Sequence, residues 1–272
     1  MPFFDPCDRF GSAPAQGFRA RLEALNSRIS LICREVGRDP ADVKLLPVTK
    51  TVPAEILRHA FDAGMRDFAE NKIQEARDKS EKLGDLPLRW SVVGHLQTNK
   101  VKHMVQFASA FHALDSLRLA AELERQLSRE GRRLDVYVQI NTSGEASKYG
   151  LAPEEMIGFI RELGEFEHLR PRGLMTLALF SADRERVQAC FVKLRELRDR
   201  ALQLNPDISG LSMGMSGDYE DAIREGATVV RVGQAIFGSR PTPDEHYWPG
   251  AAPVASADLP SAMRQSSPPG PS

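Results

Sequence analysis

The chain has 272 residues, with 36 Lys and Arg against 37 Asp and Glu and a formal net charge of −1. That length accommodates one large domain or two small ones around a sizeable core. The balanced charge argues against a strongly basic nucleic-acid surface, and no apolar run approaches the roughly 20 residues of a membrane span.

Cys7, Cys33 and Cys190 are far apart and form neither a disulfide framework nor a zinc motif. With no secretory signal at the amino terminus, they fit a reducing, cytoplasmic compartment and leave no metal site expected. Residues 1–16 mix Pro, Gly, Ser and Ala with scattered aromatics and show no period, so they are expected to form a mobile extension. Over 18–36, Leu22, Leu25, Ile29, Ile32 and Val36 recur every three to four residues, which predicts an amphipathic helix ended by Gly37.

An alternation then begins. Short apolar or β-branched runs occupy 43–48, 66–69, 88–93, 109–113, 135–141, 168–175, 208–212 and 228–232, separated by helical patterns. The clearest is 184–204, with Val187, Cys190, Phe191, Leu194, Leu197, Ala201 and Leu202 on one face; another follows the N-cap residue Ser116. Eight strands alternating with helices imply parallel pairing through right-handed crossovers, and eight in about 200 residues point to a single (β/α)₈ barrel over 17–240, with an open doubly wound sheet as runner-up. Pro47 stands against its own strand, because it cannot donate to the ladder; a bulge there is one way to reconcile the two. From 241 to 272 the composition turns to Pro, Ala, Ser and Gly, which predicts a disordered tail.

In a barrel the strand ends share one face, and here all but the fourth offer polar or glycine-containing segments. Ser212-Met213-Gly214-Met215-Ser216-Gly217-Asp218 follows the seventh strand and Gly233-Gln234 the eighth. Two serines and two glycines before a helical pattern suit an anion, and phosphate sites in such barrels come from these two loops. Taken alone, the segment is equally a turn with an N-cap, Arg231 a barrel-end ion pair and His95 a hydrogen-bonded loop histidine. Lys72, Lys100, Lys102 and His103 read as a solvated face. Lys50, ending the first strand, is either a surface lysine or an amine held for Schiff-base chemistry. A phosphate beside the last strands and a lysine on the neighbouring first strand together fit a small phosphorylated aldehyde.

Leu46-Pro47-Val48-Thr49-Lys50-Thr51, Phe68-Ala69-Glu70-Asn71, Gly94-His95-Leu96-Gln97-Thr98-Asn99-Lys100, Arg172-Gly173-Leu174-Met175, Leu211 to Asp218 and Val230-Arg231-Val232-Gly233 resemble the motifs of the YggS/PROSC family, the pyridoxal phosphate homeostasis proteins. The resemblance covers residues 18–240 in matching order. It implies a barrel like the amino-terminal domain of alanine racemase, with an extra amino-terminal helix and pyridoxal 5'-phosphate held as a Schiff base on Lys50. By the same resemblance, Arg231 faces the pyridine nitrogen, Ser212, Ser216, Gly217, Gly233 and Gln234 hold the phosphate, and Asn71 and Met175 line the pocket. Thr49, Ala69 and Pro47 depart from the usual serine, glycine and small residue; none of these changes removes the lysine, the arginine or the phosphate segments.

The role implied is buffering the cofactor and delivering it to apo-enzymes met transiently, by a monomer with no defined catalytic activity and no nucleic-acid or membrane partner. An arginine against the pyridine nitrogen leaves the ring a poor electron sink, and no room follows residue 240 for the second domain of the similar racemases. The rival is an amino-acid racemase or lyase using Lys50 as base. Lys148, after the fifth strand, is a candidate for helping the cofactor leave.

Overall fold

A computed structural model describes residues 9–145 and 148–239. Its eight strands are β1 (Lys44–Pro47), β2 (Asp67–Glu70), β3 (Arg89–Val92), β4 (Ala108–Leu114), β5 (Leu134–Gln139), β6 (Leu169–Met175), β7 (Gly210–Ser212) and β8 (Val229–Val232). All pair in parallel in the order β1-β8-β7-β6-β5-β4-β3-β2. The parallel bridge between Val48 and Ala69 joins β1 to β2 and closes the ring into a barrel, which rules out the open sheet. Each strand lies within two residues of its expected start.

Pro47 sits in β1 without a bulge, and the direction of its neighbours' bonds explains why. Val48 N–H donates to Val232 O on β8, whereas Thr49 N–H donates to Ala69 O on β2. By alternation, the donor that Pro47 lacks faces β2 at the seam, where the strands share the single Val48–Ala69 bridge.

The helices are α1 (Pro14–Glu35), α2 (Ala54–Asp62), α3 (Ile73–Lys82), α4 (Val101–Met104), α5 (Leu117–Glu130), α6 (Met156–Leu163), α7 (Arg184–Leu202), α8 (Tyr219–Arg224) and α9 (Gln234–Phe237). Ser116 caps α5 by accepting Leu119 N–H, and α7 buries Val187, Cys190, Phe191, Leu194, Leu197 and Ala201, the expected face but for Leu202. The amino-terminal helix begins at Pro14, four residues before its expected start. Phe10 is also buried, its ring 6.1 Å from that of Phe18. Residues 1–8 and the expected tail at 241–272 lie outside the described residues.

Two apolar layers result. Inside the barrel Leu46, Val48, Ala69, Val93 and Val229 pack together with Tyr137; outside, the larger core fills the space between strands and helices. Phe18, Phe68, Phe111, Phe191 and Phe237 are fully buried in that outer core, and burying each such side chain contributes about 1.5–3 kcal/mol. Among the described residues no helix is long and apolar enough to cross a membrane.

Candidate functional site

The strand register brings the expected loops together at the carboxyl-terminal mouth. Lys50 leaves β1, and β1 pairs with β8 as far as Pro47–Val232. Gly233 follows directly and packs on β1: a Cβ built there would lie 3.1 Å from Val48 O. Gly233 N–H donates to Ser216 Oγ at 3.3 Å, joining the loops after β7 and β8. Asp218 braces the first of these loops by accepting Met215 N–H. The N–H groups of Ser216 and Gly217 have no protein acceptor among the described residues, so they are available to an anion. Gln234 opens α9, partly exposed beside them.

On the other side of the mouth, Gly94 lies so close to Asn71 that a Cβ would meet Asn71 O at 2.1 Å. The glycine lets the end of β3 press the Asn71 backbone into place at the end of β2. Met175 ends β6 and is fully buried.

Below the mouth, the barrel interior holds a polar group that strand periodicity did not disclose. Arg231, 4% exposed, donates from Nη1 to Ser212 Oγ at 2.8 Å and from Nη2 to Thr176 O at 2.8 Å. Ser212 Oγ lies 2.9 Å from His112 Nδ1, and the His112 ring stacks on Tyr137 with centroids 4.3 Å apart. Burial lowers the Arg231 pKa to about 10, with Asp218 opposing the shift, so the guanidinium stays charged at neutral pH. Burial first, then Arg231 and Lys44, hold His112 well below the ordinary histidine value, so its ring is neutral. Ser212 Oγ accepts from Arg231 and shares a hydrogen bond with His112 Nδ1. Arg231 therefore has neutral oxygens as partners, and the Ser212 hydroxyl is engaged inside the barrel. Sequence reasoning missed His112 and Tyr137, since both lie within apolar runs.

His95 and Lys148 each have protein partners of their own. His95 stacks on Tyr149 at 4.0 Å and lies 3.9 Å from Asp115. Lys148 Nζ donates to Ala178 O at 2.8 Å and pairs with Glu145 at 2.7 Å. Of the basic stretch expected to form a solvated face, Lys72 and Lys102 are exposed and Lys100 and His103 half-buried.

Comparison with known proteins agrees with this geometry. The family described as alanine racemase, N-terminal domain, matches residues 20–241. A pyridoxal phosphate homeostasis protein of Pseudomonas aeruginosa is 45% identical over 214 residues, 79% of this chain and 92% of that protein. PipY of Synechococcus elongatus, solved with PLP bound, is 34% identical with a TM-score of 0.72, covering 81% of this chain and all of that one. A Clostridium difficile alanine racemase has the same fold at 18% identity and a TM-score of 0.67, over 90% of this chain and 60% of that one.

Proposed function

Because the chain belongs to the pyridoxal phosphate homeostasis protein family, we propose that it binds pyridoxal 5'-phosphate at the barrel mouth and serves intracellular homeostasis of that cofactor. The observation that carries this reading is the contact of Gly233 with Val48 and Ser216. It sets the strand end bearing Lys50 against a loop pair with unused N–H donors. When bound, the cofactor supplies an aldehyde carbon with which an amine forms a Schiff base, and Lys50 is the residue assigned to it. Ser216, Gly217, Gly233 and Gln234 hold the phosphate, Asn71 and Met175 bound the pocket, and Ser212 holds Arg231 in place beneath it.

Arg231 also favours holding over transforming. A guanidinium that stays charged gives no proton to a pyridine nitrogen, so the ring is a weak sink for carbanion electrons. We read the protein accordingly as a cytoplasmic monomer that buffers the cofactor and passes it to apo-enzymes in transient encounters. Lys148→Ala, which frees Ala178 O and Glu145, is expected to slow that transfer while leaving cofactor uptake intact; an unchanged transfer rate removes Lys148 from the proposal.

The test of binding is absorbance. Protein incubated with pyridoxal 5'-phosphate is expected to turn yellow, to lose the visible band with borohydride, and to yield a modified peptide containing Lys50. Lys50→Ala protein is expected to stay colourless. A label on another lysine, or a parent that takes up no cofactor, overturns the assignment.

A further inference from the structure

Behind the strand end that carries Lys50 lies a buried polar cluster that the proposed cofactor contacts do not use. Lys79, on α3, has a side chain only 7% exposed. Its Nζ donates to Thr49 O at 2.7 Å, Glu70 Oε1 at 2.6 Å and Glu75 Oε1 at 2.6 Å. Three acceptors thus meet the three hydrogens of one ammonium. The same Glu75 oxygen accepts Thr51 N–H at 2.9 Å, and Thr49 Oγ1 donates to Glu70 Oε1 at 2.6 Å.

Thr49 O belongs to the peptide that enters Lys50, and Thr51 N to the peptide that leaves it. The peptide entering the Lys50 Cα is therefore fastened to Lys79, and the peptide leaving it to Glu75, the carboxylate that Lys79 holds. The fastening has work to do, because Thr51 has φ +66 and is the only non-glycine residue with positive φ among the described residues. A β-branched residue in that region costs about 1–3 kcal/mol, so the turn persists only where its surroundings impose it. Arg9 adds a hold from the amino-terminal segment, donating to Thr51 O at 3.0 Å. The cost of the cluster is visible too. A lysine stands on the buried face of α3 with Ile73 and Ala76, and Glu70 is fully buried with Oε2 lacking a hydrogen-bond partner among the described residues.

We propose that Lys79, Glu75 and Glu70 are positioning residues that fix the backbone on both sides of Lys50 and so aim its amine at the carbonyl it captures. The claim rests on Lys50 being the capturing amine, and two measurements separate the two ideas. The first is the rate and pH profile of pyridoxal 5'-phosphate attachment to Lys50, read by visible absorbance and borohydride trapping. The second uses cofactor-free protein: the pH profile of Lys50 methylation by formaldehyde and borohydride, read by peptide mapping.

Two variants are compared with the parent. Glu75→Gln loses the charge that binds Lys79, at a side chain already 30% exposed. The double variant Glu70→Gln with Lys79→Met removes both charges together and leaves no buried ion unpaired. Attachment is expected to slow about tenfold or more in both, as misplacement of a reacting group does, and the methylation profile of Lys50 to shift while circular dichroism matches the parent. Should the double variant fail to fold, Glu75→Gln decides. Folded variants with parental attachment and methylation profiles overturn the proposal and leave the cluster a merely structural role. A parent that takes up no cofactor ends the functional reading, and the methylation profiles still decide the positioning claim.

Discussion

At the scale of single residues, the decisive arrangement is a cation enclosed in a barrel with neutral acceptors. Ser212→Ala takes away the oxygen that Arg231 Nη1 and His112 Nδ1 share. That change is expected to cost about 1–3 kcal/mol in urea unfolding, because a buried donor loses its partner. His112 adds a pH dependence of definite sign. Its folded pKa lies well below the ordinary 6.5, so the unfolded chain takes up a proton first as pH falls. Stability from this group is undiminished above that value and declines below it. Unfolding free energies measured at about pH 7 and pH 5.5 are expected to differ less in His112→Gln than in the parent. A slope unchanged by the substitution removes His112 as the source. The inward turn of His112 is not legible in the sequence, since nothing in an apolar run distinguishes a polar side chain facing a barrel lumen from one facing solvent.

At the scale of elements, glycines decide how closely strand ends approach. Gly173 and Gly210 face each other across β6 and β7, where a Cβ on Gly173 would lie 2.1 Å from Gly210 O. The room they leave is taken by Tyr137, whose ring would lie 2.9 Å from a Cβ on Gly210. Gly173→Ala is expected to lower stability by about 1–3 kcal/mol, the cost of overpacking, as measured by chemical denaturation. Gly94→Ala, pressed against Asn71, is expected instead to weaken cofactor affinity by displacing that residue, a loss read by spectroscopic titration. The strands and their polar ends were legible because alternation and loop composition are local signals. The α3 cluster left a fainter local trace, a lysine in register with Ile73 and Ala76 on the buried face. Its meaning became visible only when Glu70, Glu75 and Thr49 were seen around it.

At the scale of the molecule, the amino-terminal helix serves as the barrel's eighth. After β8 the described residues form only the four-residue α9, too short to cover the β8–β1 wall. Helix α1 takes that place, packed against α2, α8 and α9. Arg28 forms a two-pronged pair with Glu220, Arg21 donates to Ile236 O, and Arg38 to Ile223 O and Ala227 O. Phe18, fully buried, sits edge-on to Phe237 at 5.4 Å. Phe18→Ala is expected to cost about 3–5 kcal/mol and to lower the melting temperature in one cooperative step. A separate early transition would mean that α1 folds apart from the barrel.

The sequence by itself determined that eight strands alternate with helices, and that a lysine and two glycine-bearing loops stand at their ends. Periodicity and loop composition are properties of neighbouring residues and survive without a fold. Only the tertiary structure decided that Pro47 falls on the seam, that α1 completes the helical ring, that Ser212 and Thr176 hold Arg231, and that Lys79 and Glu75 together hold the two peptides around Lys50. Each of those facts joins residues far apart in the chain, through hydrogen bonds whose direction exists only once the barrel has closed.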